Sequence, residues 1–297
     1  MAVIRDAVYS SRVGFRPLTL DLHAPAEAWE PAGGAAAARR YPAIVWIHGG
    51  AFRVGSRALL PDFLDDGDFF GSLARAGFVV ASIDYRLSSE AAWPAQLLDV
   101  RAAVRWLRGR ADELGIAPAA IAVWGESAGA HLAASAGVRG AAEHPDEEPG
   151  LEPPTVAAVV DWYGPSNFAL MDHQAPADAL QVHDDPDSPE SVLLRAPVQH
   201  APDRVADADP ATHVGPGCPP ILIRHGMHDR LVPFGQSVHL ASALEGAGVD
   251  VRLRPVDGAG HVFEGHPDPF QFVHEAVDFL REVMPPAHPH ATARTLR

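Results

Sequence analysis

The chain contains no lysine, so all 23 of its basic side chains are arginines. That excludes Schiff-base chemistry and a lysine nucleophile. Its one cysteine, Cys218, excludes an internal disulfide and a cysteine metal cluster. No apolar run reaches the roughly 18 residues that a membrane-spanning helix needs. The N-terminal MAVIRDAVYSSRVGF lacks the apolar centre of a secretory signal, so the cytoplasm is the expected location. Positive charge is also in short supply. The 38 acidic residues leave a formal charge of −15, which argues against a nucleic-acid or membrane partner. No fixed-period repeat occurs. The 297 residues, 47% of them apolar, fit one large α/β domain better than two small ones.

Residues 3–10 and 17–22 read as two strands around a turn at Val13-Gly14, an antiparallel edge. Residues 24–41 are a Pro/Gly/Ala linker. Continuous apolar runs at 43–47, 78–83, 121–124, 156–160 and 221–223 have the composition of strands buried on both faces, and 251–255 completes the set. Helices are expected within 63–76, from Pro94 through Leu107, after Gly125, over 236–244 with Gly246 as stop, and from Phe270 through Leu280. The helix after Pro94 turns Arg101, Arg105 and Arg108 outward. Residues 139–154 form a polar surface loop. Residues 166–218 break the rhythm with Asp, His and Pro. They contain one short helix near 188–194, behind the caps Asp187 and Ser188. Strands alternating with helices imply a mostly parallel sheet covered on both faces.

The stretch Ile121–Ser135, IAVWGESAGAHLAAS, organises the rest. Gly125-Glu126-Ser127-Ala128-Gly129 fits G-x-S-x-G between a strand and an Ala-rich helix. The glycines let a strand reverse into a helix without a Cβ colliding. The serine Oγ then stands clear beside the helix N-terminus. Four segments start just past strand carboxyl ends: His48–Phe52, Gly125–Gly129, His225–Asp229 and Gly258–His261. Ligands in such sheets bind at those ends.

With these pieces the chain resembles the α/β-hydrolase fold, and within it the esterase and lipase branch that carries HGG, GESAG, H-G-x-x-D and G-x-G-H. Further matching pieces are ASIDYRLS (81–88), AAVRWLR (102–108), WGESAGAHLA (124–133), WYGPSNF (162–168), DSPESVLL (187–194), HGMHDRLVPF (225–234) and GAGHVF (258–263). They are similar to bacterial esterases related to hormone-sensitive lipase and to feruloyl or acetyl-xylan esterases. The resemblance implies a single domain over 1–283, with a small cap inserted at about 166–218. Residues 284–297 are expected to form a disordered tail.

The resemblance implies Ser127 as nucleophile, His261 as base and Asp229 as the acid that orients it, in the order Ser…Asp…His. Asp257 and Glu264 are the rival acids. Backbone N–H groups of Gly50, Ala51 and Ala128 are the expected oxyanion donors, although relatives often carry a third glycine where this chain has Ala51. His48, Tyr85 and Arg86 are expected to brace that loop, and Glu126 to be a buried hydrogen-bonding anchor. Phe52, Trp162 and Tyr163 leave strand ends near the site and are candidates for the substrate pocket or for the core. The cluster Asp172, His173, His183, Asp184 and Asp185 lacks a compact ligand spacing, so neither metal nor cofactor is expected.

The expected reaction is hydrolysis of small-molecule esters, short-acyl or small aromatic ones, through an acyl-enzyme. Amide, arylformamide or peptide cleavage, acyl transfer, and a non-catalytic binding protein are the alternatives. A homodimer is left open.

Overall fold

The computed structural model describes residues 1–29, 39–64, 68–140, 142 and 144–285. The tail expected at 284–297 falls almost wholly outside the described residues, as does the middle of the 24–41 linker.

Eight strands form one sheet: β1 (Ala2–Ser10), β2 (Leu18–Ala24), β3 (Tyr41–Ile47), β4 (Val79–Ile83), β5 (Ile116–Glu126), β6 (Ala158–Trp162), β7 (Ile221–Gly226) and β8 (Val251–Val256). Their order is β1-β2-β4-β3-β5-β6-β7-β8. The β1–β2 and β2–β4 pairs are antiparallel and every other pair is parallel.

The apolar runs show why this sheet is covered on both faces. In β3, Ala43, Val45 and Ile47 enter one core while Ile44 and Trp46 enter the other. In β5, Ile121 and Val123 face the first core, and Ala122 and Trp124 the second. Three helices cover the first face: α2 (Ala95–Gly109), α3 (Ala128–Arg139) and α7 (Gly235–Gly246). Two cover the second: α1 (Phe69–Arg75) and α8 (Gln271–Val283). Residues 166–218 carry only short helices, namely α4 (Met171–Gln174), α5 (Pro189–Leu194) and α6 (Pro202–Ala208), with 3-10 turns between them. Among the described residues no helix is long and apolar enough to cross a membrane.

Several expectations change in detail. β6 sits two residues later than the apolar run suggests, because Asp161 and Trp162 stay in register with Gly125 and Glu126 of β5. His225 and Gly226 belong to β7 itself. Gly246 ends α7 from inside, and Gly248, with φ +73°, makes the turn. Ser188 caps α5 by accepting the N–H of Ser191, and Asp187 is not the cap. Arg101 is not on an outward face. Its side chain is 1% exposed and pairs with Glu147 of the 139–154 loop, which folds over α2.

α3 is built for close approach. Nearly all of it is buried, and its alanines and glycines let its backbone settle against β5 and β6. The consequence for function is position. The chain leaves β3, β5, β7 and β8 at the same edge of the sheet, where the order around β4-β3-β5 reverses direction.

Candidate active site

Ser127 lies between the last residue of β5 and the first of α3, with φ 51° and ψ −120°, a strained conformation for a non-glycine residue. Its N–H donates to the carbonyl of Trp162 at 2.8 Å, which fixes the strained turn to β6. A Cβ on Gly125 would strike the carbonyl of Gly129, and one on Gly129 would strike the carbonyl of Ile47. Only glycine allows β5, α3 and β3 to meet this closely.

Ser127 Oγ is 3.1 Å from Nε2 of His261, and Nδ1 of His261 is 2.6 Å from Oδ2 of Asp229. The three side chains form one hydrogen-bonded line from residues up to 134 positions apart. The rival carboxylates Asp257 and Glu264 are exposed to solvent. Asp229 is itself buried and held by four donors. Its Oδ1 accepts the N–H groups of Leu231 and Val232, each at 2.8 Å. Its Oδ2 faces His261 and Nε2 of His225, the latter at 3.2 Å. Burial opposes the charge on Asp229, but the hydrogen bonds and electrostatic attraction of His225 and His261 outweigh it. The carboxyl is held well below the usual carboxylate range.

The β3 carboxyl end supplies the second half of the site. Gly50, Ala51 and Phe52 have φ of 102°, 53° and 60°, three left-handed residues in succession. Gly50 needs that freedom because a Cβ would meet the carbonyl of Val54. Among the described residues, the N–H groups of Gly50, Ala51 and Ala128 have no carbonyl or side-chain partner. The turn is braced on its inner side. Tyr85 donates to the carbonyl of His48 at 3.0 Å and its ring stacks on that of His48. Burial pushes the His48 imidazole down to about 4, although its contact with the Gly49 carbonyl opposes this, so it is neutral at pH 7. Glu126 turns away from Ser127, and its Oε1 accepts the N–H of Gly49 at 2.6 Å. Burial raises its pKa, partly offset by His261 and Gly49. Arg86 does not brace this turn: its guanidinium grips Asp99 of α2 at 2.7 and 2.8 Å.

Ser127, His261, Gly50, Ala51 and Ala128 open on a cavity of about 460 Å³. Its walls are mostly apolar, with Leu60, Leu231, Val232 and Val262 among them, and Gln181, His183 and Glu190 close the side formed by residues 181–190. Leu231, Val232, Val262 and Glu190 lie inside the matching motif pieces, but nothing in the sequence marks them or Leu60, Gln181 and His183 as sharing one wall, because separate loops bring them together. Phe52 reaches the cavity, but its ring packs on His131 and Phe168. Trp162 is a correction. It is fully buried with Trp46, Trp124 and Phe263 in the second core, because its position in β6 points it to that face. Tyr163 is likewise buried rather than lining the cavity, and its ring supports that of His261 edge-on at 4.8 Å.

No group of three His, Cys, Asp or Glu side chains among the described residues is arranged to hold a metal ion. In the Asp/His-rich stretch, Asp172 is occupied locally. Its two oxygens accept the N–H groups of His183 and Asp184, each at 2.7 Å.

This architecture, with a strained serine at the strand-to-helix turn and a histidine and carboxylate in line, is that of an α/β-hydrolase of the serine type. More narrowly, the chain belongs to the BD-FAE family, whose family model matches residues 32–244. Esterase LipC of Mycobacterium tuberculosis is 33% identical over 225 residues, 75% of this chain and 53% of that protein. The chain spans about half the length of the curated relatives it matches. A truncated carbohydrate esterase from gut microbiota superposes with a TM-score of 0.77 at 31% identity, over 95% of this chain and 96% of that one. The thermophilic esterase Est2 of Thermogutta terrifontis, solved with propionate bound, superposes with a TM-score of 0.70 at 28% identity, over 95% of each chain.

Proposed function

We propose that this protein is a carboxylic ester hydrolase that works through an acyl-enzyme on Ser127, with a preference for short-acyl or small aromatic esters. The observation that carries the proposal is the Ser127–His261–Asp229 line facing three unpartnered N–H groups across one apolar cavity.

In this reading His261 Nε2 takes the proton of Ser127 Oγ as the oxygen attacks the ester carbonyl. The N–H groups of Gly50, Ala51 and Ala128 receive the developing oxyanion, where losing one donor typically costs about a hundredfold or more in rate. The imidazolium, stabilised by Asp229, returns its proton to the leaving alcohol. Water, deprotonated by the same His261, then releases the acid. Residues 166–218 act as the cap, with Gln181, His183 and Glu190 limiting the length of group that fits. The names of the relatives support ester substrates, and the propionate in the Thermogutta enzyme supports a short acyl group.

The test is turnover of p-nitrophenyl esters of increasing acyl length, with Ser127→Ala as control and paraoxon as covalent probe. Short-chain turnover, lost in Ser127→Ala and blocked by a phosphoryl group on Ser127, is expected. Turnover of amides without esters, or ester turnover that survives in Ser127→Ala, would overturn the proposal.

A further inference from the structure

The chemistry above leaves one buried ionisable pair unused. His183 and Glu190 sit in the cavity wall with side chains 4% and 5% exposed. Nδ1 of His183 is 3.1 Å from Oε2 of Glu190, and its Nε2 is 2.9 Å from the carbonyl oxygen of Leu231. A carboxylate and a carbonyl are both acceptors. Facing an ionised Glu190, both contacts are hydrogen bonds only if both ring nitrogens carry hydrogen, which makes His183 an imidazolium. Its surroundings favour that form. Glu190 faces it from α5, and Asp172 of α4 accepts its backbone N–H. Arg53, the cation on the same cavity wall, is bonded to the carbonyl of Asp187. Burial lowers the pKa of His183, but Glu190, the Leu231 carbonyl and Asp172 together raise it above its ordinary value.

The Leu231 carbonyl belongs to a peptide group whose other end matters. That peptide's N–H, on Val232, donates to Oδ1 of Asp229, beside the N–H of Leu231. The next carbonyl, that of Val232, takes Nε2 of His225 at 2.9 Å. Two imidazoles therefore pin two successive carbonyls, and the loop between them presents its N–H groups to Asp229. The geometry points to His183 and Glu190 as positioning residues for Asp229, acting through the peptide group that joins Leu231 to Val232. This rests on Asp229 being the acid of a serine esterase.

The arrangement has a directional consequence. Once His183 loses its second proton, one of its nitrogens presents a lone pair to an acceptor, and one contact must open. If the Leu231 contact opens, the loop that holds Asp229 loosens. A glutamine at 190 removes this conflict. Its amide can donate to Nδ1 of a neutral His183, which leaves the Nε2 hydrogen on Leu231.

The experiment is the pH profile of kcat and KM for a short p-nitrophenyl ester, from pH about 6 to 10, in wild type, Glu190→Gln and His183→Ala. The wild type is expected to lose kcat on the alkaline side, with KM changing less, while Glu190→Gln keeps its plateau. His183→Ala is expected to lose kcat on the order of tenfold at every pH, with paraoxon labelling of Ser127 slowed in proportion. Superimposable profiles for wild type and Glu190→Gln would overturn the positioning role, and so would unchanged kcat in a folded His183→Ala. A wild type that turns over no ester overturns the esterase reading instead, so the two failures are told apart.

Discussion

Glu126 and Gly49 share a hydrogen bond of 2.6 Å that joins the turn carrying Ser127 to the turn carrying Gly50 and Ala51. The two halves of the site come from different strands, β5 and β3, and this bond sets their spacing. Gly49 has no room for a side chain, because a Cβ there would run into the Glu126 carboxylate.

Glu126→Ala therefore leaves the N–H of Gly49 buried and unpaired, a cost of about 1–3 kcal/mol in folding stability. It also frees the turn of Gly50 and Ala51 proposed to bind the oxyanion, so kcat is expected to fall by roughly tenfold to a hundredfold, with KM changing less. Glu126→Gln keeps an acceptor at the same place and is expected to retain most of both. Urea unfolding and ester kinetics on the two variants check this. Equal loss in both would mean that the negative charge, and not the hydrogen bond, is what matters.

The strands that carry this site are legible in the sequence for a physical reason. AIVWI and IAVW are buried on both faces and so lack polar interruptions, and the glycines around Ser127 mark a reversal that admits no other residue. The chain order of Ser127, Asp229 and His261 is legible in the same way. What is not legible depends on direction or on distance. Trp162 and Tyr163 leave β6 at the right end, but Trp162 points into the second core and Tyr163 is turned inward by a φ of 48°. Arg101 has the spacing of an outward helical position, and only the loop that folds over it makes it interior. His183 belongs to no motif, and its place in the cavity wall follows only from its contacts with Glu190 and the Leu231 carbonyl.

The pairing of Arg101 with Glu147 carries its own prediction. Both side chains are nearly inaccessible, at 1% and 6%, and two hydrogen bonds of 2.8 Å join them. Arg105 adds a third at 2.7 Å. Burial opposes the Glu147 charge, but the two arginines outweigh it and hold the carboxyl at about 2. Glu147→Ala strands a buried guanidinium, which costs about 3–5 kcal/mol. Glu148, its exposed neighbour, is expected to change stability by less than about 0.5 kcal/mol when replaced by alanine. Urea midpoints of the two variants make the comparison, and similar midpoints would contradict the burial of this pair.

Two buried neutral histidines contribute to the loss of stability in acid. His131 of α3 is fully buried among Phe52, Trp93 and Phe168, and burial takes its pKa down to about 4, against the pull of the Pro165 carbonyl. His48 is lowered to about 4 in the same way. The unfolded chain takes up these protons near pH 6.5. Between the two values the unfolded state binds more protons than the folded one, so stability falls as pH falls through that window, by up to about 3 kcal/mol for each histidine. Above it neither contributes. His131→Phe removes one of the two protons and also the 3.0 Å bond to Pro165, worth about 1 kcal/mol. The variant is therefore expected to be slightly less stable than wild type at neutral pH and more stable near pH 4, so the two stability curves cross. Groups such as Glu147 titrate alike in both proteins and cancel in the comparison. Urea unfolding across that range measures the slopes, and parallel curves would show that His131 is not buried as a neutral ring.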